Sequence, residues 1–247
     1  MAYRRTPFAL NERYHLYTQG IDKRDVFLDE DDFRHFQELL YLANSNKPIN
    51  FELIRDRKIL HEDIFALPRP ETLVAIGSYC LMKNHPHFVV QEKKENGITA
   101  FMRKLGTAYT MYFNRKYKRI GNLMVKPFRS KHIDNDTYLR RVVQYIHLNP
   151  AEIFEFGWKN GKVHNMQALE RRLLGYIFSS LSDYFGNSRP ERNIIDREVY
   201  SSIHDDLPMF SDVLEDAVLY YTDINHEFSH RRKRKKERKV TPFSDNL

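Results

Sequence analysis

Two histidines one residue apart, in "NHPHFVV" (84–90), are the first residues whose types and spacing suggest chemistry. In an extended strand the side chains at i and i+2 point to one face, so His85 and His87 would project together, roughly 6.5–7 Å apart at the backbone. That spacing lets two imidazoles converge on one divalent ion, and it equally fits two polar residues on a strand. Pro86 between them has no N–H and argues for an edge position, a strand start or a bulge. A metal centre needs a third ligand from elsewhere. "DTYLRRVVQYIHLNP" (136–150) offers one. Leu139, Val142, Val143 and Ile146 recur at helical spacing as a core-facing stripe, which leaves Tyr138, Tyr145 and Asn149 on a flank. Tyr145 and Asn149, four apart, are neighbours about 6 Å apart, and Pro150 disfavours helical geometry at Asn149 and so ends the helix there. A phenol beside an amide is a candidate phosphoryl-transfer pair, or else a core-capping tyrosine and a C-terminal cap.

The elements that must position these groups alternate. "RYHLYTQG" (13–20) reads as a strand, 29–46 as a helix with acids in its first turn, and "INFELI" (49–54) as a strand candidate. Segments 72–82 and 87–93 read as neighbouring strands in a hairpin, 98–119 as a long helix, 123–133 as a loop and strand, and 137–149 as another helix. The order predicts an α+β fold, an antiparallel sheet with helices on one face. Beyond it, 166–186 reads as helix then loop and 212–228 as an amphipathic helix, together a C-terminal helical extension.

The chain has 247 residues, 41% of them hydrophobic, enough for one substantial core plus an appendage. Its one cysteine, Cys80, excludes an internal disulfide, and the apolar setting "SYCLM" predicts a buried residue and fits a reducing cytoplasm. The first residues lack the apolar stretch of a signal peptide, and no run approaches the roughly 18 apolar residues of a spanning helix, so no membrane partner is expected. The net charge of +7 equals that of "RRKRKKERK" (231–239) alone, a basic tail expected to be disordered. More telling, residues 97–132 contain no acid but hold Arg103, Lys104, Arg115, Lys116, Lys118, Arg119, Lys126, Arg129 and Lys131, interleaved with aromatics such as Tyr109. Cations for phosphates and aromatic faces for bases suit a single-strand or hairpin surface, as a solvated basic helix face also would.

Four stretches together resemble a known family: "YHLYTQGIDKRDVFLDEDDFRHFQELL" (14–40), "YCLMKNHPHFVV" (79–90), "AYTMYFNRKYKRIGNLMVKPFRSKHI" (108–133) and "YLRRVVQYIHLNP" (138–150). They are similar to the IS200-like, single-tyrosine HUH transposases, most of all the REP-associated tyrosine transposases. The likeness implies a ferredoxin-like antiparallel sheet with helices packed on it in residues 1–163, followed by a helical extension (164–230) and the basic tail (231–247). By the same likeness His85 and His87 are the HUH histidines, Tyr145 is the nucleophile and Asn149 the third metal ligand. Mg²⁺ or Mn²⁺ is the expected cofactor. The implied activity is metal-dependent nicking and joining of single-stranded or hairpin DNA through a 5′-phosphotyrosine, by a bacterial cytoplasmic, nucleoid-associated monomer or homodimer. Arg103, Lys104, Tyr109, Arg115, Lys116, Lys118, Arg119, Lys126, Arg129 and Lys131 would contact the DNA. The sequence departs from the pattern at Pro86, where a bulky hydrophobe is usual, at Lys83, where a proline is usual, and at "TQG" (18–20), where a basic residue often precedes the glycine. Other classes are a domesticated, non-catalytic hairpin-binding protein and an unrelated metallohydrolase, although "HEDIF" (61–65) lacks the second histidine of a zincin helix. Tyr138 is the competing nucleophile, roughly 16 Å from Asn149 along the helix axis. His147 lies on the wrong face to serve as base.

Overall fold

A computed structural model describes residues 7–48, 59–69, 71–186, 188–205 and 207–221. The strand expected at 49–54, the end of the helix expected at 212–228, and the basic tail lie outside the described residues. Four strands form one antiparallel sheet in the order β2-β3-β1-β4: β1 Arg13–Tyr17, β2 Val74–Met82, β3 His85–Glu92 and β4 Arg129–Ile133. With α1 (Glu30–Leu42) joining β1 to β2 and α3 (Gly97–Lys116) joining β3 to β4, this is the expected ferredoxin-like order. A one-turn helix, α2 (His61–Ile64), precedes β2. Among the described residues no helix is long and apolar enough to cross a membrane.

The sheet has two apolar faces, and the alternation of side chains along each strand fills both. Leu16, Ile76, Tyr79, Leu81, Phe88 and Val90 join one core with Phe33 and Phe36 of α1 and Phe101, Leu105 and Tyr109 of α3. Ala75, Cys80, Met82 and Val89 join a second core with Leu139, Val142, Val143 and Ile146 of α4 (Asp136–Leu148). Cys80 is buried there as a free thiol. The expectation of helices on one face is therefore corrected: a buried β2 needs cover on both sides, and α4 supplies it together with chain beyond residue 172. Each stripe side chain of α4 contributes about 1.5–3 kcal/mol of burial.

That later chain includes α7 (Leu181–Phe185) and α8 (Arg197–His204), whose Tyr184, Val199 and Ile203 enter the second core. Space for α8 comes from Gly77, the extra residue of a bulge in β2 between Ile76 and Ser78. A Cβ on Gly77 would stand 2.8 Å from a Val199 methyl, so only glycine admits this approach. Among the described residues, those up to Pro150 together with Leu173–Leu207 form one compact unit, and Ala151–Arg172 with the stretch from Pro208 to Tyr221 a second. The second contains α5 (Ala151–Phe154), all of α6 (Met166–Leu174) but its last two residues, and a helical stretch at 210–221. Within it the buried Trp158 meets Tyr221 edge-on, with ring centroids 5.1 Å apart.

The N-termini of the longer helices of the sheet are closed by side chains. Asp29 caps α1 at the Asp32 amide (3.1 Å), and Asn135 caps α4 at the Tyr138 amide (2.7 Å). Glu92, at the end of β3, accepts from the amides of Gly97 (3.0 Å) and Ile98 (2.7 Å), where the positive end of the α3 dipole favours a carboxylate.

At the start of α2, His61 bridges two carboxylates, Nδ1 to Glu38 at 2.8 Å and Nε2 to Glu191 at 3.2 Å. Burial opposes its charge, but the hydrogen bonds to Glu191 and Glu38 prevail and raise its pKa to about 9. A raised folded-state pKa gives stability that is complete below about pH 6.5 and lost as pH rises through about 9. We expect roughly 1–2 kcal/mol from this bridge after solvent screening. Urea midpoints should fall between pH 6 and pH 9.5, and His61→Gln should flatten that fall.

Candidate active site

The site lies on the face of the sheet covered by α4. On β3, His85, His87 and Val89 share that face, while Pro86 and Phe88 turn to the other. Pro86 is the second residue of β3, and pairing with β1 begins only at His87, opposite Tyr17. The proline is thus at a strand start, where a missing N–H is tolerated. The rings of His85 and His87 stand nearly perpendicular with centroids 4.8 Å apart, as the i, i+2 spacing required. Nδ1 of His85 lies 2.5 Å from Oδ1 of Asn84.

Antiparallel pairing of β1 with β3 adds a histidine that sequence reasoning missed. His15 sits on the same face, with Nε2 3.0 Å from Nδ1 of His87. Burial first, and the nearby Lys131 second, lower the His15 pKa to about 4, so its imidazole is neutral near pH 7. From above, α4 brings Tyr145 edge-on to both rings, 5.6 Å from the His87 centroid and 6.0 Å from that of His15. His15 and His87 are 9% and 5% exposed, whereas Tyr145 is 41% exposed, so a phenol open to solvent rests against a buried imidazole pair. These groups line one side of an open cavity of about 410 Å³, which Tyr138, Lys131 and Arg141 complete.

Tyr138 shares the cavity, but its ring lies 4.8 Å under the Lys131 ammonium, and a hydrogen bond between the two raises the Lys131 pKa. His147 is buried on the far side of α4, its Nε2 2.9 Å from Ser180 Oγ, and burial lowers its pKa to about 3. Asn149 is the C-terminal cap of α4 and keeps helical dihedrals (φ −52°, ψ −41°) although Pro150 follows, contrary to the sequence expectation. Its Nδ2 donates to the Tyr145 carbonyl (2.9 Å), which satisfies an open helix end and leaves the amide oxygen as the atom able to bind a cation. Among the described residues no three His, Cys, Asp or Glu side chains gather as a metal-binding group. The available donors are therefore imidazole nitrogens and an amide oxygen, which suit a divalent ion in kind.

The ten residues expected on DNA divide by environment. Arg103, Arg115, Lys118, Lys126, Arg129 and Lys131 are exposed. Arg119 is half-buried and bonds Asn114 Oδ1 at 2.9 Å. Lys104 instead donates to the backbone carbonyls of Ser45 (2.5 Å) and Lys47 (2.7 Å). Lys116 pairs with Asp29 (2.7 Å) and Asp32 (2.9 Å). Tyr109 is fully buried, with its hydroxyl on the Val26 carbonyl. The acid-free run is thus partly neutralised by acids at the start of α1, a proximity that linear spacing does not contain.

No curated protein matches the chain. Among solved structures it is similar to a REP-associated tyrosine transposase bound to a REP hairpin, at 15% identity over 76% of this chain and 87% of that one, with a TM-score of 0.45. Residues 60–149, which carry the histidine strand, the basic helix, Tyr145 and Asn149, match the family described as Transposase IS200 like.

Proposed function

We propose that this protein cuts and rejoins single-stranded DNA beside a hairpin, with Tyr145 as the nucleophile and a divalent ion held by His85, His87 and the Asn149 oxygen. The observation that carries this reading is the exposed Tyr145 phenol resting on the buried His87–His15 pair in a cleft flanked by Lys131 and Arg141. When bound, Mg²⁺ or Mn²⁺ supplies Lewis acidity toward a non-bridging phosphate oxygen. The Tyr145 oxygen attacks phosphorus, the bond to the 3′ oxygen breaks, and the products are a 5′-phosphotyrosine and a free 3′-OH. The phenol proton passes to solvent through the open side of the cleft, and the leaving 3′ oxygen takes up a proton from solvent. Because one phosphoester replaces another, attack by a 3′-OH reverses the step and releases the tyrosine. Lys131 and Arg141 would hold the phosphates that flank the reacting one, and the exposed Arg103, Arg115, Lys118, Lys126 and Arg129 the strand beyond.

His15 acts as a positioning residue. A neutral His15 Nε2 that accepts from His87 Nδ1–H fixes the tautomer in which His87 Nε2 carries no proton, the form that can bind a cation. His15→Phe is expected to weaken Mn²⁺ binding about 10–100-fold by calorimetry, and His15→Gln, which restores an acceptor, to recover part of it. Unchanged affinity in His15→Phe would remove His15 from the site.

The test of the function is incubation with single-stranded hairpin oligonucleotides and Mg²⁺ or Mn²⁺, followed by denaturing electrophoresis. A covalent protein–DNA species lost on chelation supports the reading. Hairpin binding with no adduct under any metal condition would reassign the chain to a non-catalytic binding protein.

A further inference from the structure

A second cavity of about 410 Å³ lies on the opposite face of the sheet, back to back with the histidines. Phe36, Phe88, Leu105 and Phe128 line it, and Pro86 faces it from between His85 and His87. Two features of the sequence keep it open. Pro86 is compact and rigid. Gly106 lines the same space from the middle of α3, and a Cβ built on it meets nothing within 4 Å. A glycine inside a helix costs about 1 kcal/mol relative to alanine, so the vacancy carries a cost the helix could have avoided. At the mouth stand two exposed cations, Arg103 and Lys126. No acid is among the lining residues, and neither cation has an ion pair with the described residues.

We propose that this cavity binds a small organic monoanion with an apolar body, a carboxylate or sulfonate carried on a two-ring or comparable aliphatic frame. The body occupies the space that Pro86 and Gly106 leave among the phenylalanines, and the charge meets Arg103 and Lys126. The volume is within the range of small-ligand sites, and the mixture of apolar lining with a few placed charges is their usual makeup. Occupancy requires neither Tyr145 nor a metal, and the anion would compete with strand phosphates for Arg103 and Lys126.

The probe is 2-naphthoate, titrated by calorimetry into the full chain without metal, with neutral 2-naphthamide as the isostere. Saturable one-to-one binding of naphthoate is expected, with the amide at least about tenfold weaker. Gly106→Leu, whose side chain would fill the cavity, should lower naphthoate affinity at least about tenfold while keeping the wild-type melting temperature or exceeding it. Arg103→Gln combined with Lys126→Gln should reduce naphthoate to the level of the amide. Equal binding by wild type and Gly106→Leu, or no binding by wild type, overturns the proposal. A Gly106→Leu variant that loses oligonucleotide affinity, in a protein whose wild type ignores naphthoate, would give the cavity to DNA and overturn it as well.

Discussion

Tyr145→Phe is expected to abolish the covalent adduct with hairpin DNA, a loss on the order of 10⁴-fold or more, because it removes the oxygen proposed to form the new phosphoester bond. The change deletes one oxygen from a half-exposed ring, so folding and hairpin affinity should stay near wild type. Tyr138→Phe is the informative companion. Its ring lines the same cleft but lies beneath Lys131, away from the imidazoles that adjoin Tyr145, so adduct yield should fall less than about tenfold. End-labelled oligonucleotide, Mn²⁺ and a denaturing gel measure both. An adduct that survives in Tyr145→Phe and disappears in Tyr138→Phe would exchange the two assignments.

Arg189→Leu should cost about 3–5 kcal/mol of stability, because it leaves a buried carboxylate without its partner. Nε and Nη2 of Arg189 grip both oxygens of Asp183 at 2.8 Å, and the Asp183 side chain is fully buried. The same guanidinium reaches the carbonyls of Ile177 and Ser179 and the Tyr79 hydroxyl, which also accepts from Gln37 of α1. One side chain thereby ties the segment before α7 to β2 and α1. Arg189→Lys keeps the charge but loses the planar fork, so it should recover only part of the loss. Urea unfolding gives the numbers, and a change under about 1 kcal/mol for Arg189→Leu would show the carboxylate has found another partner.

How much of this was readable beforehand depended on range. The β2–β3 hairpin, α3 and α4 follow from local periodicity, and so does the shared face of His85 and His87. His15 did not, since nothing in "RYHLY" says that β1 inserts between β3 and β4 and so lays its middle residue against His87. The basic run misled in a related way: Lys116 and Tyr109 looked available because their neighbours in sequence carry no acid, whereas Asp29, Asp32 and the Val26 carbonyl reach them from far along the chain. The cover on the second face of β2 was hidden too, because Val199 and Ile203 lie more than a hundred residues from the strand they protect. Asn149 shows the limit of a local rule, as the following proline did not displace it from helical geometry once its own amide had closed the helix.

The return of residues 173–207 to the sheet bears on where the gene can be trimmed. A fragment ending at 163 would retain every group assigned to the reaction and still bare the oily underside of β2, with Gly77 now a notch facing water. Such a piece invites aggregation, so the smallest workable fragment extends well past the residues proposed for the chemistry.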